Sequence, residues 1–144
     1  MSFYIDTSCL LKLLFPEPES ARTRVLVTTA ERVVISSLAR LETVIRIQGR
    51  YADKMISKSE STKLLQMFEL VSESAPFDFR PRPAGLVADA ERQIRPITNT
   101  AYCRTLDRLH LATITAFGLR RLLTNDTAQA RADEALGIEV IFPR

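Results

Sequence analysis

Residues 121–141 read RLLTNDTAQARADEALGIEVI, a stretch with an apolar segment at each end and a helical segment between them. The apolar segments at 121–123 and 138–141 have the length of strands, and Gly137 breaks the chain before the second one. Residues 127–136 carry the composition of a helix. The stretch therefore predicts a strand, a helix and a strand in succession, the pattern of α/β domains.

The same alternation extends toward the N-terminus, with further strands predicted at Ser2–Ile5, Arg32–Ser36 and Phe77–Phe79. Helices are predicted between the strands, at residues 10–14, 19–29, 37–50, 57–72, 85–95 and 105–117. Ser36 or Ser37 is the predicted N-cap of the third of these helices, and Thr105 that of the last. We expect one domain spanning residues 1–144, a three-layer α/β/α sandwich around a mostly parallel sheet.

Composition narrows the class of protein. The chain has 20 basic and 17 acidic residues, a net charge of +3 that permits an anionic substrate but does not identify one. No apolar run approaches the roughly 20 residues that a membrane span requires. The N-terminus carries no pattern of a signal peptide, and Cys9 and Cys103 have no metal-site spacing. We expect a cytoplasmic protein without a membrane partner.

Four acidic residues occupy positions that an α/β fold brings together. Asp6 follows the first strand directly, and Asp126 follows the strand at 121–123 by a short step. Glu42 and Asp107 lie near the starts of two predicted helices. Ligand sites in such sheets lie beyond the carboxyl ends of the strands. Taken singly, Asp6 and Asp126 have a second interpretation as helix caps, and Asp107 as a residue that complements a helix dipole.

Glu42 is harder to explain structurally, because it is predicted to share a core-facing helical stripe with Leu38 and Ile45. A buried carboxylate is costly unless it is paired or bound to a cation. Carboxylates gathered in one pocket also repel one another, and a divalent cation relieves that repulsion. Oxygen ligands favour Mg²⁺ or Mn²⁺, which can activate water and stabilise charge on a phosphodiester.

Four segments of the chain resemble, in order, the motifs of PIN-domain ribonucleases of the VapC toxin type. They are YIDTSCLLKLL at 4–14, SSLARLETVIRI at 36–47, LDRLHLATITAFG at 106–118 and LLTNDTAQARADEALGIEVI at 122–141. The resemblance implies a PIN-like fold and metal-dependent cleavage of RNA. It also implies a VapB-like antitoxin that blocks the site, and a homodimer formed through the early helices.

The resemblance assigns roles position by position. Asp6, Glu42, Asp107 and Asp126 match the four family acids, which act as catalytic residues and as ligands of Mg²⁺ or Mn²⁺. Supporting roles fall to the polar neighbours of the first and last acids, namely Thr7, Ser8, Thr124 and Asn125. The single histidine, His110, is expected to be a packing or supporting residue. Contacts to the RNA backbone are expected from four arginines, Arg46, Arg50, Arg104 and Arg108.

Two other functions remain open at this point. A phosphatase with Asp6 as its nucleophile would use an acid at the end of the first strand. Dehalogenase-like enzymes, however, have a second Asp two positions later, where this chain has Ser8. The other alternative is a PIN-like module that binds RNA or protein without cleaving it, although all four acids that the resemblance predicts are present.

Overall fold

The structure, a computed structural model, describes residues 1–95 and 103–144. The strands are β1 (Ser2–Ile5), β2 (Arg32–Ser36), β3 (Phe77–Arg80), β4 (Arg121–Leu123) and β5 (Glu139–Ile141). The helices are α1 (Thr7–Leu14), α2 (Ser20–Thr28), α3 (Ser37–Ala52), α4 (Lys58–Ser72), α5 (Leu86–Ile94), α6 (Thr105–Ala116) and α7 (Thr127–Ala135). No described helix has both the length and the apolar character to cross a lipid bilayer.

The strands form one parallel sheet in the order β3-β2-β1-β4-β5. At its centre Tyr4 of β1 lies opposite Val34 of β2 on one side and Leu122 of β4 on the other. The chain leaves β1 toward β2 and later returns to the opposite side of β1 with β4. Such a reversal opens a crevice at the carboxyl ends of the two central strands.

The central strands are apolar on both faces, because helices cover the sheet from both sides. On one face Phe3 and Ile5 pack in a core with residues of α1, α2, α3 and α4. On the other face Tyr4 packs with Leu111 and Ile114 of α6 and with Ala132 of α7. The three-layer α/β/α sandwich with a parallel sheet, predicted from the sequence, is therefore confirmed.

The start of α1 and the cap of α6 differ from the prediction. Helix α1 begins at Thr7, earlier than predicted, because the carboxylate of Asp6 caps it by accepting a hydrogen bond from the Cys9 amide. The prediction that Thr105 caps α6 is wrong, since Arg104 occupies the N-cap and makes no side-chain capping bond. The predicted cap at Ser36 is confirmed by its bond from the Ala39 amide, 3.1 Å long.

Candidate active site

A cleft of about 560 Å³ opens at the carboxyl ends of β1 and β4, and it is lined by Glu17 and by four further carboxylates. These four are the acids singled out in the sequence: Asp6, Glu42, Asp107 and Asp126. Two follow strands, Glu42 comes from the second turn of α3, and Asp107 comes from the first turn of α6. The parallel sheet thus brings to one place acids that are spread over most of the chain.

Asp6 is the most enclosed of the four, with only 3% of its surface exposed. One carboxyl oxygen accepts hydrogen bonds from the Ser8 hydroxyl at 2.7 Å and the Cys9 amide at 3.1 Å. The other oxygen accepts a bond from the Thr124 hydroxyl. Burial raises the pKa of Asp6, and these hydrogen bonds offset only part of that effect. Asp6 is therefore held in one orientation at the cleft.

The residues beside Asp6 join the ends of β1 and β4. The Ser8 hydroxyl accepts a bond from the Asn125 amide at 3.0 Å, and the Thr124 hydroxyl accepts one from the Asp126 amide at 3.0 Å. Ser8, Thr124 and Asn125 thus lie where a supporting role requires them. Thr7 lines the same cleft, and its buried hydroxyl has no hydrogen-bond partner among the described residues.

Asp126 caps a helix and lines the cleft as well. Its Oδ1 accepts bonds from the amides of Ala128 at 2.8 Å and Gln129 at 3.1 Å, which fixes the start of α7. In the described part of the chain its Oδ2 takes no hydrogen bond and stays available to a ligand. Capping was one interpretation of Asp6 and Asp126 in the sequence, and the structure shows that each of them caps a helix and also lines the cleft.

Glu42 does not lie on a core-facing stripe, so that part of the sequence argument is wrong. The buried side of α3 carries Ala39, Thr43 and Ile47, whereas Ile45 is 57% exposed. Glu42 lies at the edge of this stripe and lines the cleft. Its Oε1 bonds to Nε2 of His110 at 2.5 Å. The partner that the structure shows for Glu42 is therefore a histidine.

Asp107 is half-buried at the start of α6. Burial raises its pKa, and the nearby charges of Asp126 and Glu42 raise it further, while His110 acts in the opposite direction. The acids are therefore close enough to repel one another electrostatically across the cleft. A cation between them would relieve that repulsion.

The donor set suits a hard divalent cation, because carboxylate and hydroxyl oxygens dominate the cleft and the chain has a single histidine. Among residues 1–95 and 103–144, however, no three ligand-type side chains are already gathered into the geometry of a metal site. The acids line the walls of the cleft.

The four arginines expected to contact RNA differ in position. Arg46 is exposed and lines the cleft together with an adjoining groove, and Arg104 lies in that groove. Arg50 lines the cleft, stacked 3.7 Å from the centre of the Phe15 ring. Arg108 is only 4% exposed and does not line the cleft, so it is not placed to contact RNA.

Three residues of this region were not singled out in the sequence. Lys12 is buried and bonds to Glu17 at 2.8 Å and Glu19 at 2.7 Å on the wall of the cleft. Gln129 lines the cleft with a buried amide nitrogen that has no described partner. Asp133 is fully buried behind the site. For Gln129 and Asp133 the available signal in the sequence was helical spacing, since both share the buried side of α7 with Ala132.

A model of the PIN-domain family matches residues 3–135. The chain belongs to the PIN-domain family. Ribonuclease VapC46 of Mycobacterium tuberculosis (strain ATCC 25618 / H37Rv) is 34% identical to this PIN domain over 144 residues, covering 99% of this chain and 98% of that protein. The predicted resemblance to PIN-domain ribonucleases of the VapC type is thereby confirmed.

Solved structures share the fold of this PIN domain. VapC20 of Mycobacterium tuberculosis, described as a sarcin-ricin loop cleaving toxin, aligns with a TM-score of 0.70 and 16% identity, covering 94% of this chain and 95% of that one. VapBC2 of Rickettsia felis, bound to a DNA fragment from its promoter, aligns with a TM-score of 0.70 and 14% identity over 99% of this chain and 98% of that one. At such identities the likeness concerns the fold alone.

Proposed function

We propose that this PIN domain is a metal-dependent endoribonuclease that acts as the toxin of a type II toxin–antitoxin pair. The observation that carries the proposal is the convergence of Asp6, Glu42, Asp107 and Asp126 on one cleft. The 34% identity to a protein named as a ribonuclease supports RNA as the substrate. The reaction is hydrolysis of a phosphodiester bond.

Asp6, Asp107 and Glu42 are the residues that would hold Mg²⁺ or Mn²⁺, with Asp126 completing the set. The bound ion supplies an activated water and charge stabilisation at the phosphate. The protein supplies orientation: Ser8 and Thr124 fix the carboxylate of Asp6 through hydrogen bonds to both of its oxygens. Preorganised ligands of this kind reduce the reorganisation that the reaction requires.

Arginines around the cleft would bind the RNA backbone. Arg46 is an exposed residue at the border of the cleft and the adjoining groove, and Arg104 is an exposed residue of the same groove. Contacts of this type position a nucleic acid without reading its sequence. Arg50 is a weaker candidate, because its guanidinium also faces Glu17 at 3.5 Å.

The partners follow from the relatives. VapBC2 of Rickettsia felis is a toxin–antitoxin complex by name, and we extend to this chain a VapB-like antitoxin that covers the acidic cleft. A homodimer through the early helices belongs to the same proposal. We further propose a single domain over residues 1–144 in the cytoplasm, where the free, buried thiols of Cys9 and Cys103 remain reduced.

A phosphatase with Asp6 as nucleophile fits the chain less well, because the position of the second Asp in dehalogenase-like enzymes holds Ser8, whose hydroxyl donates to Asp6 at 2.7 Å. A module that binds RNA without cleaving it would need no such set of acids. The cleavage experiment below separates these functions from the nuclease.

The test is cleavage of a mixed cellular RNA pool with Mn²⁺ or Mg²⁺, comparing the wild type with Asp6→Asn. Asparagine keeps an acceptor for the Cys9 amide that caps α1, so the fold is preserved while the charge is lost. Asp53→Asn, at an exposed position outside the cleft, is the matched control. We expect metal-dependent cuts from the wild type and the control, and none from Asp6→Asn.

Undiminished cutting by Asp6→Asn would refute the proposed site. Tight RNA binding by the wild type without any cutting would favour the binding module. A stable phosphoryl group on Asp6 after incubation with a phosphate ester would favour the phosphatase.

A further inference from the structure

A buried chain of hydrogen bonds runs from the sheet to one acid of the cleft. The Ser36 hydroxyl meets the Tyr4 hydroxyl at 2.6 Å, which meets Nδ1 of His110 at 2.5 Å. On the other side of the ring, Nε2 of His110 meets Glu42 at 2.5 Å. We propose that His110 is a positioning residue that holds Glu42 in the orientation needed to bind the metal, an inference that rests on the proposed function.

Donor and acceptor roles along this chain have one consistent assignment for the neutral ring. A carboxylate only accepts, so Nε2 carries a proton and donates it to Glu42. Nδ1 is then an acceptor and receives the Tyr4 hydroxyl, whose pKa burial raises well above its usual value. The Tyr4 oxygen accepts in turn from Ser36, which itself receives the Ala39 amide. Both hydroxyl groups and both ring nitrogens of this hydrogen-bonded series therefore have a partner.

The surroundings make the chain rigid. His110 is 2% exposed, Tyr4 is fully buried, and the two rings meet edge to face with centroids 5.6 Å apart. Both ring nitrogens are engaged within the protein, so neither is free to bond to RNA. His110 therefore acts through Glu42 and does not itself take part in the chemistry.

His110 bonds to only one of the two carboxylate oxygens of Glu42. Its Oε1 is engaged by His110, whereas its Oε2 has no hydrogen bond among the described residues and lies on a side chain that lines the cleft. Without the histidine, nothing described in the structure bonds to the Glu42 carboxylate at the edge of α3. Loss of a partner that orients a metal ligand typically lowers metal affinity or activity about 10- to 100-fold.

Two substitutions of His110 separate the two nitrogens of the ring. In His110→Gln the amide nitrogen reaches approximately the position of Nε2, so the bond to Glu42 is kept. In His110→Asn the amide ends near Nδ1, close to Tyr4, and does not reach Glu42. The two variants are both neutral, polar and non-aromatic, so each serves as the control for the packing cost of the other.

The experiment measures Mn²⁺ affinity by calorimetry, together with kcat and KM for RNA cleavage and the thermal midpoint of each variant. We expect His110→Gln to stay within about threefold of the wild-type Kd for Mn²⁺, the scale of one altered hydrogen bond. We expect His110→Asn to bind Mn²⁺ about 10- to 100-fold more weakly. Equal affinities of the two variants would overturn the proposal. Loss of kcat in both at unchanged Mn²⁺ affinity would also overturn it, because His110 would then act on the substrate.

A second measurement uses the metal-free protein. Because His110 is the single histidine of the chain, the ¹⁵N signals of its ring are unambiguous. We expect the tautomer with the proton on Nε2, and we expect Tyr4→Phe to shift the Nδ1 signal. A proton on Nδ1 in the neutral ring would contradict the assignment. Failure of the proposed function would be seen separately, as RNA cleavage that survives Asp6→Asn.

Discussion

Asp133 lies fully buried on α7, and replacing it by asparagine should make the protein more stable in alkaline solution. Neither oxygen of its carboxyl group has a hydrogen-bond partner among the described residues. Burial, followed by the charges of Asp6 and Asp107, raises the pKa of Asp133 to about 8. The folded protein therefore keeps this side chain protonated at neutral pH, whereas the unfolded chain does not.

The direction of the pH effect follows from proton binding. A carboxyl whose pKa is higher in the folded than in the unfolded state binds a proton on folding, so the free energy of unfolding falls as pH rises between the two values. Here that window extends from an ordinary value of 3.8 to about 8. At about 1.36 kcal/mol per pH unit the upper bound is about 6 kcal/mol. Relaxation and water entry around the ionised group reduce this, and we expect about 3 kcal/mol.

The assay is urea unfolding of the wild type and Asp133→Asn at pH 5 and pH 9, in the presence of a chelator. We expect the two proteins to agree within about 1 kcal/mol at pH 5, because both side chains are neutral in the folded state and pH 5 lies only slightly above the ordinary pKa of 3.8 that Asp133 has in the unfolded chain. At pH 9 the variant should be more stable by about 3 kcal/mol. A difference that is the same at both pH values would refute the reasoning, as would a variant that is relatively weaker at pH 9.

The remaining predictions concern charged residues at the cleft. Arg46→Ala should raise KM for RNA several-fold and leave kcat nearly unchanged, because it removes a contact made equally in the ground and transition states. Arg24→Ala, at an exposed position on α2, is the control. A loss confined to kcat would contradict the prediction. Lys12→Met should lower the free energy of unfolding by about 3 kcal/mol, because it leaves Glu17 and Glu19 without the buried ammonium that they share. Chemical denaturation measures that loss, and a change below about 0.5 kcal/mol, typical of surface positions, would disprove it.

The lysine prediction has support from electrostatics. Burial alone would lower the pKa of Lys12, but the hydrogen bonds to the two glutamates outweigh it, and the pKa lies above its usual value. A lysine whose pKa is raised on folding contributes stability below its unfolded pKa, and that contribution is lost as pH rises through the higher folded value. We therefore expect the effect of Lys12→Met to be constant between pH 6 and 9, and to shrink only in strongly alkaline solution.

The fold and the placement of the acids could be predicted because they depend on local pattern. The apolar runs of β1 and β4 identify strands, and the order of a parallel sheet brings the residues that follow them, Asp6 and Asp126, to one edge. The burial of Ile45 was predicted wrongly, because apolar character alone does not tell which side of a helix meets the core.

The partners of the acids could not be predicted, since they come from packing between layers. The contact between Glu42 and His110 joins α3 to α6 and spans 68 positions of the chain. The contact between Tyr4 and His110 spans 106 positions and requires the Tyr4 side chain to lie on the face of β1 that α6 covers. No spacing within either segment specifies these pairs.

The hydrogen bond from Thr124 to Asp6 joins positions 118 residues apart, and it has a consequence for how an incomplete chain would form the cleft. Contacts between distant parts of a chain form slowly, because their closure costs entropy before it yields any stabilisation. A growing or clipped polypeptide that lacks β4 has three of the acids but not the sheet edge that aligns them. Alignment of the acids thus depends on the pairing of β4 with β1, and a change that separates these two strands should disrupt the cleft.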